Sequence, residues 1–177
     1  SANGFIEYIS YQELDALLAL ARHALARGGS LVLGSRNRLF NLFSDNQFTQ
    51  DECDAGTAEA LLREATLIAG AKNIRALKAC TPTPLQKEET KHAQTGVTVS
   101  TRYQFTPAQL AERLAQNGFR TDGIFPIHIH AAPLAFKAKH PLLHVRLSNL
   151  LHEYAAEDAF ALIPHASSFM IHAKKVH

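Results

Sequence analysis

The chain has 177 residues, 46% of them hydrophobic, enough for a single globular domain with a sizeable core. Eighteen basic residues against sixteen acidic ones leave a net charge of +2, so no strong field marks nucleic acid or an anionic membrane as a partner. No stretch reaches the roughly 18 uninterrupted apolar residues of a membrane span. The opening Ser1-Ala2-Asn3-Gly4-Phe5-Ile6-Glu7 also lacks the basic start and apolar centre of a secretory signal, so a cytoplasmic location is expected. Cys53 and Cys80 stand singly, without metal-ligand spacing, and are expected to be ordinary thiols.

In chain order, residues 5–9 are apolar or aromatic apart from Glu7 and are expected as a strand. Ser10-Tyr11-Gln12-Glu13 is a capping box that starts a helix carrying Leu14, Leu17, Leu18, Ala21 and Leu25. Gly28 is placed to leave that helix through a left-handed conformation. Leu31-Val32-Leu33, bounded by glycines, reads as a buried strand covered by helices on both sides and ending in the polar loop Ser35-Arg36-Asn37-Arg38. Residues 39–100 form a long insert, helical in part. Thr49-Gln50-Asp51-Glu52 is expected to cap one helix, and Ala58, Leu61, Leu62, Ala65 and Ile68 stripe another. Residues 74–80 resume helix until Pro82 and Pro84 stop it. An insert of this length suits a lid or binding segment.

Val97, Val99, Thr101, Tyr103 and Phe105 alternate with polar residues, predicting a strand exposed on one face. Thr106-Pro107-Ala108-Gln109 restarts a helix that exits through Asn117-Gly118-Phe119. Residues 120–130 read as a strand with Pro126 at an edge, a bulge or the strand's end. Pro141 opens a further helix, residues 158–163 lean to helix, and residues 167–174 form the last strand. The expected sheet is mixed, its last strand antiparallel to its neighbours.

Strand-end loops in such sheets meet ligands, which makes Arg36, Asn37 and Arg38 candidates for orienting an anionic or carbonyl-bearing substrate; the alternative is a solvated turn. His128 and His130, two apart, share a face if the strand is regular, as His140 and His144 do one helical turn apart. They suit a proton acceptor, pocket lining or a structural role. No Cys, Asp or Glu in ligand spacing joins them, so no metal is expected. Gly29 and Gly34 match the spacing of a phosphate loop, but Ser35-Arg36 replaces its Lys-Ser/Thr pair, and that reading is rejected. Tyr103 either faces a substrate or packs on the sheet edge.

The order of elements resembles the carboxyl half of a class I S-adenosylmethionine-dependent methyltransferase of the small-molecule group. The residues that carry the resemblance are Tyr103-Gln104-Phe105-Thr106-Pro107-Ala108-Gln109-Leu110 with Asn117-Gly118-Phe119, which resemble the family's helix before its sixth strand. Asn3-Gly4-Phe5-Ile6-Glu7 resembles the loop leaving its fourth strand, and Gly28 to Leu33 its fifth. The resemblance implies a Rossmann-like α/β sheet, mostly parallel with an antiparallel last strand. It also implies S-adenosyl-L-methionine as cofactor, with Asn3 and Gly4 beside its methionine part. No Gly-x-Gly spacing occurs in the sequence. The family's first strands, glycine turn and ribose-holding acid would therefore precede Ser1, and this chain by itself is expected not to bind the cofactor.

The expected function is methyl transfer to an oxygen or nitrogen of a small-molecule acceptor, the protein aligning acceptor, methyl carbon and sulfur and excluding water. Glu7, His128 or His130 could accept a proton, and nothing in the sequence selects among them. The loops at Asn3-Gly4, at Arg36-Asn37-Arg38 and at His128 and His130 should converge on one sheet edge, roofed by Phe40, Phe43 and the insert. The alternative is a non-catalytic α/β interaction or dimerisation module, which leaves a homo-oligomer open.

Overall fold

The computed structural model describes residues 2–87 and 103–176. Strand β1 (Ala2–Asn3) is followed by helix α1 (Tyr11–Ala24), strand β2 (Ser30–Arg36) and a 3-10 helix (Arg38–Phe43). Helices α2 (Gln47–Asp54) and α3 (Ala58–Ala69) and a second 3-10 helix (Ile74–Ala79) complete the insert as far as it is described. Helix α4 (Pro107–Gln116) and strand β3 (Phe119–Ile129) come next. Helices α5 (Leu134–Lys139), α6 (Pro141–Glu157) and α7 (Ala159–Leu162), a short 3-10 turn and strand β4 (Ala166–Lys175) end the fold.

The strands form an α/β sheet of order β1-β2-β4-β3. The β1–β2 pair is parallel, and β4 lies antiparallel between β2 and β3. The antiparallel last strand is as expected, whereas among the described residues only one pair is parallel. Leu33, Ile171 and Ile124 stand in one row across three strands and are all buried. On this face Leu14 and Leu18 of α1, Leu61 and Ile68 of α3, and Leu110 and Leu114 of α4 join them in one core. Arg113 ties α4 to α1 by a fork onto Asp15, at 2.8 and 2.9 Å. Among the described residues the opposite face is not closed in the same way. Val32, Met170 and His172 are half-buried there and Phe125 is 52% exposed, which corrects the expectation of helices on both sides of β2.

Residues 5–9 are a turn, not a strand. Gly4, at φ +65°, bends the chain out of β1, and the amide of Tyr8 donates to the carbonyl of Phe5. Helix α2 is capped three residues before the expected position. Asn46 caps it by accepting from Phe48, and Thr49 closes the box from inside the helix. The capping boxes at Ser10 and Thr106 form as predicted. Pro126 is tolerated because β3 is an edge strand. Val97 to Arg102 of the predicted alternating strand lies outside the described residues. Phe105 makes only an isolated parallel bridge to Asn37.

Candidate functional site

Because β4 is antiparallel to both β2 and β3, those two strands run the same way, and their carboxyl ends emerge on one edge beside the amino end of β4. The register makes this concrete. Arg36 pairs with Ser168, and Ser168 pairs with Ile127, next to His128. Asn3 pairs with Gly34, so the end of β1 reaches the same edge. Asn3-Gly4, Arg36 and the two histidines are thus brought to one side of the sheet.

Their environments differ sharply. Arg36 is half-exposed, its Nε 3.4 Å from Glu7 Oε2, while its backbone amide donates to Glu7 Oε1 at 2.6 Å. Asn37 is buried and structural: its Nδ2 donates to the carbonyls of Ile163 and Ala166, and its Oδ1 accepts from the Leu39 amide. Arg38 turns inward and is 2% exposed. Its Nε and Nη2 fork onto Glu52 at 2.8 and 2.7 Å, and its Nη1 donates to the Pro84 carbonyl. Of the three loop residues, Arg38 lines neither cleft described below, because a buried guanidinium must spend its donors on protein acceptors. Tyr103 is likewise interior. Its hydroxyl donates to the Ile9 carbonyl at 2.7 Å, and its ring lies against Tyr11 and Phe105.

His128 and His130 do not share a face. His128 takes φ +53° and is exposed, which breaks the strand's alternation and turns His130 inward. His130 is 6% exposed and stacks on Phe40 at 4.9 Å and on His144 at 5.2 Å. Burial, aided by the charges of His144, Lys137 and His128, pushes its pKa down to about 4, so the ring is neutral at pH 7. Its Nε2 lies 3.2 Å from Ser167 Oγ, whereas its Nδ1 has no hydrogen-bond partner among the described residues. Among those residues no three His, Cys, Asp or Glu side chains are grouped to hold a metal ion.

Two clefts open at this edge, and Phe40 is a wall of both. One, of about 310 Å³, is framed by Phe40, Phe43, His130, Pro133 and His165, with Asp45 at its margin. Phe43 packs on His165 at 4.8 Å; His165 is exposed overall, and partial desolvation lowers its pKa from the ordinary imidazole value. The other, of about 220 Å³, is lined by Arg36, Asn46, Gln104, Ser167 and Ser168 among others, and Arg36 is its one charged residue among those described. The sequence alone did not single out His165, Ser167 or Ser168. The available signal was topological: the first residues of an antiparallel last strand must lie beside the carboxyl ends of its neighbours.

Gly4 has open space where a Cβ would stand, so a ligand can approach its backbone closely. Neither cleft includes Gly4, and the neighbouring Glu7 carboxylate is engaged by Arg36. The described residues therefore do not by themselves form a cradle that fits S-adenosylmethionine. No described helix is long and apolar enough to cross a membrane.

No family model matches the sequence, and no curated protein matches it. One solved structure, an S-adenosylmethionine dependent methyltransferase from Mesorhizobium loti, aligns over 99% of this chain with 11% identity and a TM-score of 0.43. The chain spans 59% of the length of that protein.

Proposed function

We propose that this chain is the acceptor-binding, carboxyl-terminal part of a Rossmann-like S-adenosylmethionine-dependent methyltransferase domain acting on a small molecule. The observation that carries the reading is the strand order β1-β2-β4-β3, with β4 inserted antiparallel between two strands of common direction. That is the antiparallel last strand implied by the resemblance of Phe105-Thr106-Pro107 and Asn117-Gly118-Phe119. It leaves three strand ends and two clefts on one edge, where open α/β sheets take their ligands.

In this reading further parallel strands lie beyond β1 in the complete domain and carry most of the cofactor site. Asn3 and Gly4 supply its border with the acceptor clefts. S-adenosylmethionine, when bound, supplies an activated methyl group. The residues described here bind and orient the acceptor, and they exclude water with the apolar walls at Phe40 and Phe43. The unpaired cysteines suit a reducing cytoplasm.

The test is transfer of labelled methyl from S-adenosylmethionine to a panel of small hydroxyl and amine acceptors by the protein made from its whole reading frame. A labelled small-molecule product supports the reading. Absence of both product and saturable cofactor binding by that protein ends it. The present chain alone should give no saturable heat with the cofactor.

A second reading, an interaction module, is favoured by helix α6, where Leu142, Val145 and Leu150 are 81%, 53% and 61% exposed. A concentration-dependent dimer lost in Leu142→Glu, together with no methyl transfer, would select it.

A further inference from the structure

We propose that the two clefts sharing Phe40 form one bipartite site for an arylalkanoate, its ring held beside Phe43 and His165 and its carboxylate met by Arg36. As a statement about the methyl acceptor this rests on the function proposed above; as a statement about binding it does not.

The larger cleft is a place for an uncharged flat ring. Its walls are two ring pairs, Phe40 with His130, their planes 29° apart, and Phe43 with His165, their planes 40° apart. Such pairs favour a further ring in stacked or edge-on contact. Burial keeps the His130 imidazole neutral at pH 7, and desolvation shifts the more exposed His165 in the same direction. The one described carboxylate lining the cleft, Asp45, repels an anionic group. Its volume of about 310 Å³ is at the small end of the roughly 300–1,000 Å³ usual for small-molecule sites.

The smaller cleft has the opposite character. Among the described residues Arg36 is its single charged one, and the remaining polar lining consists of amides and hydroxyls, including Asn46, Gln104, Ser167 and Ser168. Glu7 holds Arg36 at the Nε side from a buried position. A guanidinium offers five donors in a planar fork, so one carboxylate at that side leaves the terminal nitrogens able to grip another. Phe40 lines both clefts, and Ser167 of the smaller lies 3.2 Å from His130 of the larger, so the two are adjacent and a ring joined to a carboxylate by a short flexible chain suits the pair.

Calorimetry of this chain with 3-phenylpropionate, 3-phenylpropanol and propionate tests the inference. The acid should bind saturably with one-to-one stoichiometry, and both truncated analogues more weakly. Arg36→Gln should weaken the acid about tenfold, the size expected for one charge-assisted contact, and leave the alcohol unchanged. Phe43→Ala should weaken acid and alcohol alike. No saturable binding of the acid, or binding unaffected by Arg36→Gln, overturns the proposal. Should Arg36→Gln fail to fold, the acid-to-alcohol preference of the unaltered chain decides, and equal affinity refutes. Binding of the acid without methyl transfer by the whole-frame protein sinks only the function. Methyl transfer to other acceptors with no arylalkanoate binding sinks only this inference.

Discussion

Arg38 and Glu52 form a two-pronged ion pair, at 2.8 and 2.7 Å, with each residue only 2% exposed. The pair joins the loop after β2 to α2. Thr57, Asn41 and Gln86 also donate to the carboxylate, at 2.6, 3.0 and 3.2 Å. A buried pair of this kind is costly to break from one side, because the remaining charge stays in the interior.

Arg38→Leu is therefore expected to destabilise the protein by about 3–5 kcal/mol, and the double change Arg38→Leu with Glu52→Leu by less than the single one. Urea midpoints of the three proteins check this, and a double variant worse than Arg38→Leu would contradict it. Burial pushes the Glu52 pKa up, but hydrogen bonds from Arg38, Thr57 and Asn41 outweigh it and hold the carboxyl below its ordinary range. The sign follows. The stability from Glu52 is present above the unfolded carboxyl pKa of about 4.3 and is lost as pH falls through the lower folded value.

Glu64 behaves in the opposite sense. It is buried, its Oε2 accepts from the Thr83 amide at 2.8 Å, and its Oε1 has no hydrogen-bond partner among the described residues. Burial raises its pKa despite the bond from the Thr83 amide. Its contribution to stability is thus greatest below the unfolded value and declines as pH rises through the folded one. Glu64→Gln should flatten that decline and leave the protein at least as stable at pH 8. Stability curves from pH 4 to 8 that keep the same slope in the variant would reject this.

His130 adds a third pH dependence. With its folded pKa near 4 and an unfolded value near 6.5, the unfolded chain takes up the proton first as pH falls. Stability should be full above pH 6.5 and decline towards pH 4 by up to about 3 kcal/mol. In His130→Gln this part of the slope should vanish. Chemical denaturation at pH 7, 5.5 and 4.5 measures it.

The two thiols should differ in reactivity. Cys53 is exposed, whereas Cys80 is buried. Burial, with the charge of Glu64, pushes the Cys80 pKa up to about 11. Since the thiolate is the reactive species, iodoacetamide at pH 8 should label Cys53 in the native protein and Cys80 only after unfolding. Equal labelling rates, read by peptide mass spectrometry, would count against the described packing of Cys80.

Local chemistry was legible in the sequence wherever one residue's neighbours in the chain decide its conformation. The capping boxes at Ser10 and Thr106, the stops at Gly118 and the strands near Leu31 and Phe169 follow from short-range periodicity and hydrogen bonding. Whether a polar side chain after β2 faces a ligand or the interior was not legible. Asn37 and Arg38 turned inward because Ile163, Ala166 and Glu52, distant or on another helix, offer acceptors that only the assembled fold brings near. His128 and His130 were separated by one positive φ, which the identity of a histidine does not announce. The sequence by itself determined the capped helices and the strands near Leu31, Phe119 and Phe169, but not the turn at residues 5–9; the tertiary structure decided which side chains were spent on holding the elements together and which were left to line the clefts, because burial obliges each polar group to find a partner and the partners come from remote parts of the chain.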